Sequence, residues 1–313
     1  MILAINANAA IDWIYFIDRF TPGSAMRVKK AVLGVGGKGL DAALVLRTLG
    51  APLKAVSFAA GQNGKVLADL LAQRKVDCEF VWVDGETRVS NVIVETEFNR
   101  HSHVITPGYE VNSQDCDRFI DRMEKLAGGA QWAVMGGSLP QGAPPDFYFR
   151  IIDRLHTLGV KTLIDNTGIP MLAALNAVPE ISKMNQAEFQ STFDVQIRNT
   201  GDLAAACRRI ITQYRLNALV VTRGKDGILA CTPEGIYEAV LGQSVKEVNA
   251  AGAGDAVSGT LAYRLSLGDT WAQALSWAVA VSAAVVKTEG TAECSLPDVL
   301  DLYPHARVRT LAA

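Results

Sequence analysis

Four consecutive residues late in the chain, Gly252-Ala253-Gly254-Asp255, have the types and spacing needed for chemistry on an anion. An apolar-periodic run from Ala256 to Leu267 follows them and predicts a helix, so they lie at a helix N-terminus. Backbone N–H groups at such an end lack intrahelical partners, and small side chains let an anion approach closely. Asp255 would lie beside that anion in the first turn. The arrangement favours transfer of a charged group to a hydroxyl whose proton the carboxylate accepts, although a glycine-rich loop with a capping aspartate fits these residues equally well.

The composition is typical of a globular protein with a large core, because 49% of the 313 residues are hydrophobic and 20% are charged. The 30 basic and 32 acidic residues give a net charge of −2. No overall field therefore draws the chain to nucleic acid or to a membrane surface, and we expect neither as a partner. The longest apolar run, Trp271 to Val286, is too short to span a bilayer and predicts a buried helix.

The cysteines indicate a reducing compartment. The chain contains five, an odd number, far apart and without a Cys-x-x-Cys pair. We interpret them as reduced, mostly buried thiols of a cytoplasmic protein. The apolar start of the chain, Met1 to Asn6, lacks a basic segment and is interpreted as a strand rather than a signal peptide.

Strands and helices alternate along most of the chain, and this alternation predicts an α/β fold. Each strand ends in a polar or glycine-rich tip, as expected for a parallel sheet whose site lies at the carboxyl ends of its strands. Two pairs of strands without a helix between them, at about 11–34 and 86–107, predict a small second sheet inserted into a single domain, 1–313. The predicted strands are 2–7, 13–20, 27–33, 53–58, 79–83, 88–97, 102–106, 131–135, 161–164, 180–183, 218–221, 228–231 and 236–239, and the predicted helices are 40–49, 64–73, 113–126, 145–158, 202–214, 252–267, 271–287 and 297–302.

A second glycine-rich stretch, Gly34-Val35-Gly36-Gly37-Lys38-Gly39, lies between a strand and a helix and matches the dinucleotide fingerprint G-x-G-x-x-G. That interpretation requires an acidic residue about 20 positions later to hold the ribose hydroxyls, and none lies between Asp41 and Asp69. The Walker A pattern fails as well, because glycine follows the lysine. We therefore favour a loop in which Lys38 and free amides hold a phosphate or hydroxyls of a substrate.

The pair His101-x-His103 lies on a predicted strand and has a spacing that can bind a metal ion. A third ligand is lacking nearby in the sequence. We interpret the two histidines as solvated strand side chains or as substrate contacts.

Six short motifs from Asn8 to Asp255 follow one another in the order that is typical of one family. They are Asn8 to Asp12, Gly36-Gly37-Lys38-Gly39, Gly137-Ser138-Leu139-Pro140, Asn185-x-x-Glu188, Thr222-x-Gly224-x-x-Gly227 and Asn249 to Asp255. Through them the chain resembles the PfkB (ribokinase-like) carbohydrate kinases along nearly its whole length. It is most similar to the 1-phosphofructokinase and tagatose-6-phosphate kinase branch.

The resemblance implies a three-layer α/β/α sandwich with a mostly parallel central sheet and a small β-sheet lid. It also implies an enzyme that transfers the γ-phosphoryl group of ATP to a hydroxyl of a sugar phosphate, with Mg²⁺ bound to the nucleotide. The acceptor class would be fructose 1-phosphate, tagatose 6-phosphate or fructose 6-phosphate. An exposed lid sheet offers unpaired strand edges, so we expect a homodimer formed through the lid.

The resemblance further implies a role for each matching residue. Asp255 would be the catalytic base, with the anion hole at Gly252, Ala253 and Gly254. The residues implied to bind the acceptor are Asp12, Arg27, Gly37, Lys38, Asp41, Arg88, Asn91, His103 and Ser138, among which Lys38, Arg27 and Arg88 are candidates for its existing phosphate. The residues implied to bind ATP are Asn185, Thr222, Gly224, Gly227 and Asn249, and those implied to place Mg²⁺, through water, are Glu188 and Asn185.

Three departures from the family pattern leave the acceptor open. Asp41 stands where asparagine is usual, Ala9 where proline is usual, and Met184 where the family's Lys-Pro-Asn has proline. A carboxylate beside a phosphate-binding lysine would repel a sugar phosphate or bind a hydroxyl instead. A kinase of an unphosphorylated sugar or nucleoside therefore remains an alternative, as does a sugar-phosphate-binding regulator without turnover.

Overall fold

The structure of the protein, a computed structural model, describes residues 1–98 and 100–311. The strands are β1 (Ile2–Asn6), β2 (Ala10–Ile17), β3 (Lys30–Gly36), β4 (Leu53–Ala60), β5 (Cys78–Val83), β6 (Arg88–Glu95), β7 (Arg100–Ile105), β8 (Trp132–Gly136), β9 (Lys161–Asp165), β10 (Ile181–Asn185), β11 (Ala218–Thr222), β12 (Ile228–Thr232), β13 (Gly235–Leu241) and β14 (Ala306–Leu311). The helices are α1 (Lys38–Thr48), α2 (Gly61–Gln73), α3 (Ser113–Ala127), α4 (Phe147–Thr157), α5 (Gly168–Leu175), α6 (Gln186–Phe193), α7 (Thr200–Tyr214), α8 (Ala253–Ser266), α9 (Trp271–Val285) and α10 (Leu296–Leu302).

The larger sheet has the strand order β14-β13-β12-β11-β10-β9-β8-β1-β4-β5. From β11 to β5 every neighbouring pair is parallel, whereas β12, β13 and β14 form an antiparallel edge. The carboxyl ends of β1, β8, β9, β10 and β11 therefore lie along one side of the sheet. This is the side at which an open α/β sheet binds its ligands.

Helices cover both faces of the larger sheet. Leu3 and Ile5 of β1 pack into a core shared with α3, α4, α5, α6 and α7. Ile2 faces the opposite way, into a core shared with α1, α8 and α9. This alternation follows from the two-residue period of a strand and requires apolar residues on both faces, which β1 has from Ile2 to Ile5. The predicted α/β/α sandwich is confirmed.

A smaller sheet has the order β3-β2-β6-β7. The pair β2–β6 is parallel, and the flanking pairs β2–β3 and β6–β7 are antiparallel. It has a small apolar core of its own, made of Ile14, Phe16, Val92 and Val94. We call this sheet the lid. The turn predicted near Asn99, between β6 and β7, includes a residue outside those that the structure describes.

The structure differs from the predicted elements in several places, and β3 and α2 each begin three residues away from their predicted starts. Strand β2 begins at Ala10, three residues before the predicted start, so Asp12 lies within a lid strand rather than in a polar tip. The short helix α5 contains Pro170 and is apolar all round, so it lacks a helical period. Helix α6 begins directly at a strand tip, where Asn185 caps it. The edge strand β14 is Arg-rich, and Arg309 is held by Glu238 on β13, a tertiary contact that local pattern does not indicate.

Helix α9, predicted from its apolar run, spans 15 residues and is mostly buried. Within the described ranges, the length and apolar character needed to cross a bilayer do not occur together in any helix. Cys116, Cys207 and Cys231 are buried, Cys78 and Cys294 are half-buried, and all five are free thiols, which confirms that the thiols are mostly buried.

Candidate active site at the carboxyl ends of the central strands

The turn that precedes α8 depends on Gly252 for two reasons. Gly252 has φ 80°, a left-handed conformation that side chains other than glycine rarely adopt. A Cβ atom there would also lie 2.4 Å from the backbone nitrogen of Ala292. The Asn249 side chain is fully buried and joins the same two segments, because its Nδ2 donates to the Glu289 carbonyl at 3.1 Å and its Oδ1 accepts from the Ala251 amide at 3.1 Å. The structure thus gives Asn249 a role in shaping the turn, and the ATP contact implied by the resemblance stays a prediction.

The N-terminus of α8 has no side-chain cap. The Ala253 N–H, one of the expected anion-hole donors, donates instead to the Ala250 carbonyl at 3.2 Å. The N–H groups of Gly254 and Asp255 have no partner among residues 1–98 and 100–311. Free amides at a helix N-terminus form a site for an anion. The predicted anion hole therefore centres on Gly254, one residue further along the helix.

Asp255 lies in the first turn of α8 with 7% of its surface exposed. Its Oδ1 atom has no hydrogen-bond partner in the described part of the chain. Burial and then the Asp165 carboxylate raise the pKa of Asp255 to about 7. Lys38 and Lys183 act in the opposite direction, since they favour the charged form. A carboxyl group with this pKa can accept a proton from a bound hydroxyl near neutral pH.

A buried carboxylate below this turn joins two lysines. The Oδ1 of Asp165 accepts from Lys38 Nζ at 2.8 Å, and its Oδ2 accepts from Lys183 Nζ at 2.6 Å. Burial alone would raise the pKa of Asp165, but the two ammonium groups hold that pKa well below its usual range. The Lys183 ammonium also lies directly behind the anion hole, 3.4 Å from the position that a Cβ of Gly254 would occupy.

Sequence reasoning did not predict Asp165 or Lys183 as site residues. Both carry a signal that could have found them. Asp165 is the last residue of β9, at the edge of the sheet where the other tips were expected to meet. Lys183 is 2% exposed in the buried strand β10, and a lysine in a buried strand requires a partner.

Lys38 is the first residue of α1, and its ammonium lies among carboxylates. Besides Asp165, it contacts Glu188 Oε1 at 3.4 Å. Burial alone would lower the pKa of Lys38, but Asp165, Asp255 and Glu188 raise it above its usual value. The ammonium has three N–H donors, of which Asp165 and Glu188 account for two. The contact of Lys38 with the acceptor's existing phosphate stays a prediction.

The lid supplies a buried acid at the acceptor side. Asp12 is 7% exposed, and its Oδ2 accepts from Thr291 Oγ1 at 2.8 Å. A Cβ at Gly36, on the neighbouring strand, would lie only 2.2 Å from the Asp12 Oδ1, so the carboxyl group requires glycine there. Burial raises the pKa of Asp12 to about 6, while Thr291 and Arg88 act to lower it.

Other acceptor residues converge on Asn8, at the end of β1. Arg88 donates to the Asn8 carbonyl at 3.1 Å, and Asn8 Nδ2 donates to Ser138 Oγ at 3.1 Å. Within the described chain, Arg88 Nε is buried without a partner. Gly37, at the N-cap of α1, packs on Asn6, the last residue of β1. Asp12, Gly37, Lys38, Asp41, Arg88 and Ser138 are thus brought to one region.

Three predicted acceptor residues lie apart from this group. Arg27 is exposed in the connection between β2 and β3, seven residues before Gly34, the partner of Asp12 in the lid. Asn91 points to the opposite face of β6 from the buried Ser90, and its Nδ2 donates to the Val104 carbonyl. His103 is exposed on the outer strand β7. Their predicted contacts with the acceptor stay predictions.

The expected ATP side is formed by Asn185, Glu188 and the tip of β11. Asn185 Oδ1 accepts from the Glu188 N–H at 2.9 Å, and Glu188 Oε2 accepts from the Asn185 N–H at 2.8 Å, so the pair is also a capping box for α6. Thr222 ends β11, and Gly224 follows in an exposed turn with φ 58°.

The oxygen ligands available at this position suit magnesium only in part. Among the described residues, no three Asp, Glu, His or Cys side chains come together to form a metal site. Asn185 is exposed and Glu188 is partly exposed. Mg²⁺ usually keeps several waters and takes the rest of its ligands from one or two carboxylates and substrate phosphates. The pair therefore fits a magnesium ion that a nucleotide carries and that the protein contacts through water.

Comparison with known proteins identifies the family of this chain and its fold. The sequence profile of "pfkB family carbohydrate kinase" matches residues 3–299. The chain is 28% identical to the 1-phosphofructokinase of Haemophilus influenzae, covering 95% of each sequence, and 27% identical to the tagatose-6-phosphate kinase of Staphylococcus epidermidis, covering 82% of each. Its fold is similar to that of Arabidopsis thaliana ribokinase complexed with ribose and ATP, with a TM-score of 0.79 and 18% identity over 96% of this chain and 98% of that one. The ribokinase-like fold expected from the sequence is confirmed.

Proposed function

This chain belongs to the pfkB family of carbohydrate kinases, and we propose that it transfers the γ-phosphoryl group of ATP to a hydroxyl of a sugar phosphate. One observation carries the proposal. The buried Asp255, whose Oδ1 lacks a partner in the described chain, lies in the same turn as the free N–H groups that begin α8. A base and an anion hole in one turn are the two parts that phosphoryl transfer needs beside the acceptor hydroxyl.

The proposed reaction follows from the positions of these groups. Asp255 accepts the proton of the acceptor hydroxyl while the hydroxyl oxygen forms a bond to the γ-phosphorus. The bond between that phosphorus and the β–γ bridging oxygen breaks, and ADP leaves. The Gly254 N–H and the Lys38 ammonium stabilise the negative charge on the group in transit. The Lys183 ammonium, paired with Asp165, adds positive potential from behind the turn.

ATP and magnesium enter as parts of the proposal. Thr222, Gly224 and Gly227 would bind the nucleotide, and Asn185 with Glu188 would contact its magnesium ion through water. A bound magnesium ion neutralises phosphate charge and orients the γ-phosphoryl group. The acceptor side would hold the sugar by Asp12, Gly37 and Arg88, whose Nε has no partner among the described residues and could donate to an anionic group.

The sugar phosphate is favoured as acceptor by the relatives' names, 1-phosphofructokinase and tagatose-6-phosphate kinase. A kinase of an unphosphorylated sugar or nucleoside is the second candidate, because Asp12 and Asp41 bring two carboxyl groups to the acceptor side. The alternative of a regulator without turnover has less support, since a regulator has no use for Asp255 beside an open anion hole.

The proposed assembly is a homodimer formed through the lid. Its outer strand β7 carries Val104 and Ile105, which are 57% and 51% exposed. A second lid could cover this apolar edge and pair its backbone groups. The cytoplasmic location inferred from the cysteines stays a prediction.

A coupled assay of ADP release tests the proposed function. The acceptors are fructose 1-phosphate, fructose 6-phosphate, tagatose 6-phosphate, free ketoses and nucleosides, each measured with the wild type and with Asp255→Asn. We expect turnover with at least one sugar phosphate and its loss in the variant. Turnover confined to free sugars or nucleosides would establish the second candidate. If none of the acceptors supported ATP consumption, both candidate functions would be refuted.

A further inference from the structure

Asp41 is a buried carboxyl group beside the acceptor side of the site. It lies on α1 one turn after Lys38 and is 5% exposed. Within residues 1–98 and 100–311 its Oδ1 atom has no hydrogen-bond partner. Helix α8 packs tightly on α1 next to it, since a Cβ at Gly259 would lie 3.0 Å from the Ala42 carbonyl oxygen. Solvent therefore has little access to this carboxyl group.

The charged groups that face Asp41 come from α8, the lid and α1, and two of the three are acids. They are Asp255, Asp12 and Lys38. The Lys38 ammonium already has Asp165 at 2.8 Å and Glu188 at 3.4 Å as partners. The groups behind these neighbours are Arg88 beside Asp12, and Lys183, Asp165 and Glu188 beside Asp255. Asp41 is therefore left without a cation of its own.

An ionised carboxylate in such a place is strongly unfavourable, because it is desolvated and faces two like charges. Burial is the main reason that the pKa of Asp41 lies well above its usual value, and Asp255 and Asp12 raise it further. The Gly37 backbone and Lys38 act in the opposite direction without reversing the shift. The protonated form has an O–H donor and a carbonyl acceptor, the same hydrogen-bonding pair that an asparagine amide offers.

We propose that Asp41 is a specificity-determining residue that works as an uncharged carboxylic acid, donating a hydrogen bond to a sugar oxygen of a phosphorylated acceptor. The inference rests on the proposed function and concerns the same site. It removes the conflict between a carboxyl group at this position and an anionic acceptor. The neutral acid does not repel the acceptor's phosphate, whereas the ionised form both repels it and loses the donor.

The affinity for the acceptor should therefore depend on pH. As the pH rises and Asp41 loses its proton, the KM for a sugar phosphate increases. The rate constant kcat also rises with pH, because Asp255 must be ionised to act as a base, so the two changes act in opposite directions only on kcat/KM. Since the two acids face each other, they titrate as a coupled pair. The two effects are separated by measuring KM and kcat independently over the pH range.

The test compares wild type, Asp41→Asn and Asp41→Ala in steady-state kinetics with a sugar phosphate. Asp41→Asn keeps a neutral donor, so we expect a KM within about threefold of wild type at low pH and no rise in KM at alkaline pH. Asp41→Ala loses one hydrogen bond, so we expect a KM raised about threefold to tenfold at every pH. The matched control is Asp84→Asn, which removes an exposed acid and should leave the dependence of KM on pH as in the wild type.

Two kinetic results would overturn the inference. One is an Asp41→Asn enzyme with KM raised tenfold or more at all pH values, because the ionised carboxylate would then be the working form. The other is an Asp41→Asn enzyme that keeps the alkaline rise of the wild type, because another group would then be titrating.

A measurement that needs no turnover separates this inference from the proposed function. The infrared difference spectrum between wild type and Asp41→Asn at pH about 7 should contain the carbonyl stretch of a protonated carboxylic acid. Absence of that band overturns the inference whether or not the enzyme turns over. A band in a protein that phosphorylates no sugar phosphate refutes the proposed function, and with it the acceptor contact assigned here, while leaving the protonation of Asp41 established.

Discussion

Removing the Lys183 ammonium should destabilise the protein more than removing both partners of its ion pair. Lys183→Met leaves Asp165 buried with only Lys38 as a cation. At an effective dielectric constant of about 20, charges 2.6 Å apart attract by about 6 kcal/mol before desolvation is subtracted. Breaking a buried pair by removing one partner costs about 3–5 kcal/mol. We expect about 3 kcal/mol, the lower end, because Lys38 remains beside Asp165.

The double variant Asp165→Asn/Lys183→Met should recover part of this loss, since neither partner is then left as an unpaired buried charge. Urea unfolding followed by circular dichroism gives the free energy of unfolding of each variant. A double variant that is at least as unstable as the sum of Lys183→Met and Asp165→Asn would refute this account of the pair.

The pH dependence of the same experiment has a defined sign. In the wild type the two lysines hold the pKa of Asp165 below its usual range, so the stability that Asp165 contributes is lost only as the pH falls through that low value. In Lys183→Met the pKa of Asp165 rises, and Asp165 takes up a proton at higher pH. The difference in unfolding free energy between wild type and Lys183→Met should therefore narrow as the pH decreases. A difference that widens would contradict the assigned charge states.

Three other predictions concern the base, the lid and the assembly. Asp255→Asn should lower kcat by about 10²–10⁴ with little change in the KM for ATP, and near-normal turnover of this variant would exclude Asp255 as the base. The kcat of the wild type should rise as the pH increases through about 7, where Asp255 loses its proton. Gly36→Ala should raise the KM for the acceptor about tenfold, because the new Cβ would lie 2.2 Å from Asp12 Oδ1. The control Gly34→Ala should have little effect, because no atom would lie nearer than 3.7 Å to its Cβ. Equal effects of the two substitutions on KM would exclude this steric cause. Val104→Lys on the outer lid strand should convert the proposed dimer to a monomer in sedimentation experiments. Val66→Lys, at an exposed valine on α2, is the control and should leave the dimer intact. A monomeric wild type would disprove the lid dimer.

The sequence predicted the parts of the site that are local in the chain. Gly252 to Asp255 are consecutive, and a helix end with a neighbouring acid can be recognised from spacing alone. Asp165 and Lys183 were missed because their roles depend on partners that are distant in the chain. Asp165 pairs with Lys38, 127 residues away, and with Lys183, 18 residues away. The state of Asp41 was also beyond local pattern, since it depends on carboxyl groups from α8 and the lid.

For the fold as well, elements with a local sequence pattern were predicted and elements positioned by distant contacts were not. Buried parallel strands such as β8 and β11 are nearly continuous apolar runs, so their pattern predicted the central sheet. The edge strand β14 has no such run and is positioned by pairing with β13, which lies far away in the chain. The helix predicted from residue 40 begins two residues earlier, at Lys38. Which anion Lys38 faces depends on how β9 and α6 meet, and no pattern within its own segment indicates that.

The segment from Glu289 to Ala292 contacts both the lid and the turn before α8. Thr291 donates to Asp12, and Glu289 forms an ion pair with Lys30 of β3. On the other side, Asn249 donates to the Glu289 carbonyl, and Ala292 packs against Gly252. We therefore expect a displacement of the lid to be transmitted through this segment to the N-terminus of α8, which would couple the two ends of the proposed site.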